Sequence, residues 1–245
     1  MRVLIFILLV LVVSGCIKES ADSQLLVNGF FRADNDSVFV EIGRLQSDGV
    51  FVPTNNADAR IMVGDSENSL TLTSDGRYHL SNELIGVGNE LKLLVDNEVT
   101  STSMLPPIIE PISVDNTNLT IDVNAPGVEL FGLSWNQVEG HSFVIQLECL
   151  EENKVEIPFE VPHGLFDSQF NGPIEEASID LYDVDFMYYG QHRLTVYIID
   201  SKYAEVFFYR SRSKRNVITA GPDNVFGAHG FWACTRAFEV LLNVE

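Results

Sequence analysis

His141-Ser142-Phe143-Val144-Ile145-Gln146-Leu147-Glu148-Cys149 is the stretch from which the fold is most readily read. Phe143, Ile145, Leu147 and Cys149 occupy alternate positions, and Gln146 and Glu148 fall between them. A period of two is that of a strand with one buried face, and a slip of one residue would expose the whole apolar set, so the register is fixed. The same pattern extends outward in both directions. Downstream and upstream, residues 120–123, 128–135, 176–181, 193–199 and 204–209 read as further strands. Nearer the N-terminus the alternation recurs in Val38, Val40 and Ile42, in Leu70 and Leu72, in Tyr78 and Leu80, and in Leu91, Leu93 and Val95. Between these runs stand Ala33-Asp34-Asn35-Asp36, Ser47-Asp48-Gly49, Ser74-Asp75-Gly76 and Gly86-Val87-Gly88, which is hairpin-turn chemistry.

Pro106, Pro107 and Pro111 crowd one short segment, which resists both helix and central strand and reads as a stiff connector. Residues 158–173, with three prolines and with Phe166 and Phe170, read as a long loop. The expectation is an all-β chain of two antiparallel β-sandwiches, 24–105 and 113–245, joined by the connector 106–112.

The chain has 245 residues, 46% hydrophobic and 20% charged, a globular composition that excludes wholesale disorder. Fifteen basic against 35 acidic side chains give a net charge of −20, which argues against a surface that tracks nucleic-acid phosphates. At the N-terminus, Arg2 precedes an apolar run over residues 3–13, followed by Ser14-Gly15-Cys16 and then Lys18-Glu19-Ser20. Such a run spans about 16 Å as a helix against roughly 30 Å of hydrocarbon, so it reads as a secretory signal rather than a membrane span. Val13-Ser14-Gly15-Cys16 resembles the bacterial lipobox, which makes residues 1–15 a signal peptide, Cys16 the lipidation site and 16–23 a tether. Several acyl chains, at about 0.8 kcal/mol per buried CH₂, anchor a protein stably to a bilayer.

Chemistry-bearing motifs are sparse. The histidines, His79, His141, His163, His192 and His229, show no metal-ligand spacing, so no metal or cofactor is expected. Asp34 with Asp36 and Asp183 with Asp185 form Asp-x-Asp pairs without the glycine and distal glutamate of a calcium loop, and they read as turn carboxylates. No nucleophile elbow or phosphate-cradling glycine loop is present, and the expectation is a protein that is not an enzyme. Cys149 and Cys234 admit two readings in an exported protein. They form either a disulfide, worth roughly 4–5 kcal/mol in the chain-entropy model, or two buried thiols. Arg210, Arg212, Lys214 and Arg215 form a basic stripe whose first three members alternate along an extended strand. It is either a site for an acidic partner or an edge strand protected by charge. The run Val225-Phe226-Gly227-Ala228-His229-Gly230-Phe231-Trp232 is either a partner-facing loop or packing at a strand crossing.

Leu26-Val27-Asn28-Gly29, Val38-Phe39-Val40, the stretch Asn56-Ala57-Asp58-Ala59-Arg60-Ile61-Met62-Val63, Gly76-Arg77-Tyr78, Gly88 and Leu91-Lys92-Leu93-Leu94-Val95 follow one another through the first half. Together with Ser103-Met104-Leu105-Pro106, the lipobox and Asn224-Val225-Phe226-Gly227-Ala228-His229-Gly230, they resemble the bacterial lipoproteins grouped as domain of unknown function 4249. That resemblance implies a first sandwich of the transthyretin or carboxypeptidase-regulatory type and no known catalytic residues. Leu133-Ser134-Trp135, Phe143-Val144-Ile145 and the run Gly190-Gln191-His192-Arg193-Leu194-Thr195-Val196-Tyr197 resemble a fibronectin type III or immunoglobulin-like domain, which implies architecture alone. The lipoprotein resemblance implies a place on the outer membrane of gram-negative bacteria, held by the N-terminal lipid on either its periplasmic or its surface side, the surface side being favoured. It also implies a TonB-dependent transporter as partner, which makes the chain a non-enzymatic accessory that works by binding. A surface adhesin or glycan-binding module is the alternative, and an uncharacterised hydrolase a more distant one.

Overall fold

The computed structural model describes residues 24–34, 37–46, 50–74, 76–80, 90–159, 168–212 and 223–245. Among them the N-terminal half contributes β1 (Gln24–Arg32), β2 (Ser37–Leu45), β3 (Phe51–Pro53), β4 (Ala59–Val63), β5 (Ser66–Leu72), β6 (Tyr78–Leu80), β7 (Glu90–Val95) and β8 (Val99–Met104). Next come β9 (Pro111–Val114), β10 (Asn118–Leu119), β11 (Glu129–Trp135), β12 (His141–Cys149), β13 (Ser168–Ile174), β14 (Ser178–Tyr182) and β15 (Gly190–Asp200). Helix α1 (Ser201–Arg212), β16 (Val225–Phe226) and the long β17 (His229–Val244) complete the chain. The all-β expectation holds.

The sandwiches are knit together rather than strung in line. One continuous sheet runs β13-β12-β15-β17-β1-β2-β6-β5-β4-β7-β8-β16, and a second, small sheet is β14-β11-β9. The C-terminal core, with Trp135, Phe143, Ile145, Phe186, Leu194 and Val196, fills the space between the small sheet and the β12-β15-β17 part of the large one. Trp135 stands edge-on to Phe143 at 5.1 Å, in the place expected of a core tryptophan. The N-terminal core is closed by the large sheet folding back on itself, so that the Cys234 N–H of β17 donates to Ser103 Oγ of β8 at 2.9 Å. Ile61, Leu91, Leu93 and Phe31 fill it, but so do Val225, Trp232 and Cys234. The division at 106–112 is therefore incomplete, because β17 pairs in parallel with β1 from Leu26↔His229 to Arg32↔Thr235 and then antiparallel with β15 from Ile199↔Thr235 onward. Of the two readings of 225–232, core packing at a strand crossing is the observed one for Val225, Phe231 and Trp232.

Close backbone approach makes this crossing specific to glycine. A Cβ on Gly230, whose φ is +115°, would lie 2.1 Å from the Val27 carbonyl oxygen.

Four local expectations are corrected. Residues 204–209 are helical: Tyr203, Ala204, Val206, Phe207 and Phe208 are buried and Glu205 is exposed, a helical stripe rather than an alternation. Asp200 caps this helix, its Oδ1 accepting the Lys202 N–H at 3.1 Å. Residues 168–173 of the expected loop instead belong to β13, paired to β12, with Phe170 half-buried against the helix layer. In place of a strand over 120–123 there is only β10, although Ile121 is buried. The proline connector yields an edge strand, β9, that starts at Pro111, where a missing N–H costs the ladder least.

Candidate functional site

Strands β12, β15 and β17 each have an inner face on the C-terminal core and an outer face, and α1 covers only half of the outer face. Beneath the helix lie Val144, Tyr197, Ile199 and Ala233, with Phe30 of β1. Phe207 of the helix meets Phe30 edge-on at 5.0 Å. Beyond the helix the pleat continues with Gln146 and Glu148 of β12, Arg193 and Thr195 of β15, and Glu239 and Leu241 of β17, which register places side by side. Arg32 enters at the end of β1 and Asp34 follows it in the turn. The result is a trough of about 590 Å³, within the roughly 300–1,000 Å³ of small-ligand sites but charged rather than apolar.

Its charges form an alternating row. Asp34 Oδ2 lies 2.6 Å from Arg32 Nη2, which lies 3.2 Å from Glu239 Oε1. Glu239 Oε2 is 3.9 Å from Arg193 Nη1, and Arg193 Nη2 is 2.8 Å from Glu148 Oε2. Tyr197 anchors the row from below, its hydroxyl donating to Gln146 Oε1 at 2.8 Å and accepting from Arg32 Nη1 at 3.4 Å, while the Arg32 guanidinium lies 5.0 Å over its ring. Burial raises the Tyr197 pKa against the opposing pull of Arg32, so the phenol stays neutral and remains a donor. Burial disfavours the charge on Arg32, but the hydrogen bond to Asp34 and the neighbouring Tyr197 and Glu239 outweigh it and raise its pKa. The hydrogen bond to Glu148 does the same for Arg193.

The residues singled out from the sequence are dispersed. Cys16 and the whole of 1–23 lie outside the described residues, as do Lys214 and Arg215. Arg210 and Arg212 belong to α1, so the extended strand on which the stripe was read is absent at these two positions. Cys149 and Cys234 are both free and buried. Cys149 pairs with His192, which pairs with Leu242 on β17, eight positions from Cys234. At about 3.3 Å per residue that separation is roughly 26 Å along the strand, far beyond the ~7 Å a disulfide bridges. Of the two readings, buried thiols is the one observed, and burial pushes the Cys234 thiol up to about 12.

The remaining polar candidates make structural bonds. Asp183 is buried, its Oδ1 accepting from the Gly127 and Val184 N–H groups, both at 2.7 Å, and Asp185 Oδ2 accepts from the Tyr182 N–H at 2.8 Å. His141 and His192 bond backbone carbonyls, and His229 Nδ1 meets Asp223 Oδ2 at 3.1 Å. Gly230 N–H and His229 hold the Asp223 carboxyl below its usual pKa. His163 lies outside the described residues. Among those residues no three His, Cys, Asp or Glu side chains converge as metal ligands. Cys149 and its cross-strand partner His192 border a space of about 10 Å³, room for a single water at most.

Reading the sequence alone missed the trough. Arg32 and Glu239 are 207 positions apart, and the only signal was the polar outer face of strands whose inner faces were already assigned. Among the described residues no helix is long and apolar enough to cross a membrane. No known protein family and no curated protein matches this chain.

Proposed function

We propose that this chain is a lipoprotein of the bacterial outer membrane that works by binding. In this reading Cys16 carries the lipid, the trough receives a ligand, and the protein serves as accessory to a TonB-dependent transporter. The observation that carries the binding part is the trough itself: a preformed polar concavity at the junction of both halves, with its side chains held by mutual hydrogen bonds before any ligand arrives. Preorganisation of this kind lowers the ordering cost of binding. The leader-like N-terminus and the resemblance to the unassigned lipoprotein family support the anchor and the transporter. A lipid tether confines protein and transporter to one surface and so raises their effective concentration.

The test is co-isolation from gently solubilised outer membranes, with Cys16→Ala as control. A β-barrel transporter recovered in stoichiometric amount with the lipidated chain, and lost with Cys16→Ala, is the expected outcome. Recovery of no barrel would overturn the accessory role, and normal lipid labelling of Cys16→Ala would overturn the anchor.

A further inference from the structure

We propose that the trough is a subsite for an uncharged, polyhydroxylated ligand, a neutral oligosaccharide, which rests on the reading of the trough as the binding surface. The first argument is the charge order. Asp34, Arg32, Glu239, Arg193 and Glu148 alternate in sign along one row, with successive contacts of 2.6, 3.2, 3.9 and 2.8 Å. Both guanidinium groups are already matched to carboxylates. An anionic ligand would have to displace a carboxylate from each arginine, and a cationic one would compete with an arginine already seated on each carboxylate. A hydroxyl needs neither exchange, because it donates and accepts at once and can bridge a carboxylate to the neighbouring guanidinium. Planar groups that bond in pairs also match the spacing of neighbouring hydroxyls on a sugar ring.

The second argument is what flanks the row. Phe170 stands opposite Gln146 on β13, and Leu241, 53% exposed, stands opposite Arg193 on β17. Cross-strand partners share a face, so Leu241 borders the polar row with exposed apolar surface, while Phe170 closes its other end from the helix layer, where it is half-buried. A sugar ring has this same division, with hydroxyls at its rim and C–H bonds on its faces.

The experiment is calorimetric titration of the lipidated chain, held in a zwitterionic detergent free of sugar headgroups. The probes are neutral hexasaccharides (malto-, cello-, xylo- and manno-linked), the hexamer of galacturonic acid and the hexamer of glucosamine. We expect saturable binding of at least one neutral probe, weakened about tenfold or more by Arg193→Ala and by Glu239→Ala, since bonds to charged groups are at stake. The same affinity should change less than about twofold between roughly 0.05 and 0.5 M salt, as an uncharged ligand requires. Glu239→Gln keeps the side-chain shape, and at 41% exposure it leaves the core untouched, so a loss there is not a folding defect. Heat from none of the neutral probes, or preferred binding of a charged probe that salt abolishes, would overturn the proposal. Saccharide binding without a co-isolated barrel would retain this inference and remove the accessory role.

Discussion

Single residues decide the crossing on which the trough depends. Gly230 sits where a methyl group would press into the Val27 carbonyl at 2.1 Å, and its φ of +115° is one that L side chains rarely adopt. Gly127 also has a positive φ, +94°, but nothing lies within 4 Å of its would-be Cβ. Gly230→Ala should therefore cost on the order of 3 kcal/mol or more, and Gly127→Ala about 1 kcal/mol. Urea denaturation of the two variants separates backbone strain from steric collision, and equal losses would contradict the close approach of β1 and β17. His192 is a second informative residue. Burial lowers its pKa, more than the Gly190 carbonyl and Glu151 can restore, so the unfolded chain takes up a proton there before the folded one does. Its contribution is complete above the unfolded value near ~6.5 and is lost as pH falls toward the folded value. The melting temperature should drop between about pH 7.5 and about pH 5.5, and His192→Gln should flatten that slope. An unchanged slope in the variant would assign the drop to other groups.

At the scale of elements, period-two alternation was a sound guide wherever one face was buried and the other wet. Phe143, Ile145 and Leu147 lie on the core face as read, with Gln146 and Glu148 opposite. It misled at 204–209, where Ala204, Val206 and Phe208 alternate in sequence but Phe207 is buried too. A short apolar stretch broken only by Glu205 does not distinguish strand from buried helix, and the cap at Asp200 was the cue that could have decided it. Prolines around Phe170 suggested a loop, yet β13 is an edge strand, where a proline is tolerated. The charged trough was illegible for a different reason. Each of its side chains reads locally as an ordinary solvent-facing residue, and only the pairing of β17 with both β1 and β15 gathers them. Sequence patterns give the face of a residue and not its neighbours across the sheet.

For the whole molecule, the shared strand has a mechanical consequence. The chain has two tryptophans, and each reports one core: Trp232 the N-terminal one and Trp135 the C-terminal one. Since β17 runs through both, the cores should unfold together, although chains of this length commonly divide into independent domains. Single-tryptophan variants, Trp135→Phe and Trp232→Phe, should show fluorescence transitions with the same urea midpoint as the loss of β-sheet circular dichroism. Midpoints that separate would mean two independent sandwiches joined by a linker. The same junction is the basis of the functional account, because it brings Arg32 of β1 beside Glu239 of β17 and Arg193 of β15. The most direct test follows the Nε–Hε resonances of the arginine side chains while the neutral hexasaccharides are added to the protein. The account predicts that Arg32 and Arg193 shift together and saturably, while Arg60 of β4, paired to Glu67 and Asp58, stays still. If Arg32 and Arg193 stay still, or move no more than Arg60, the trough is not the recognition site.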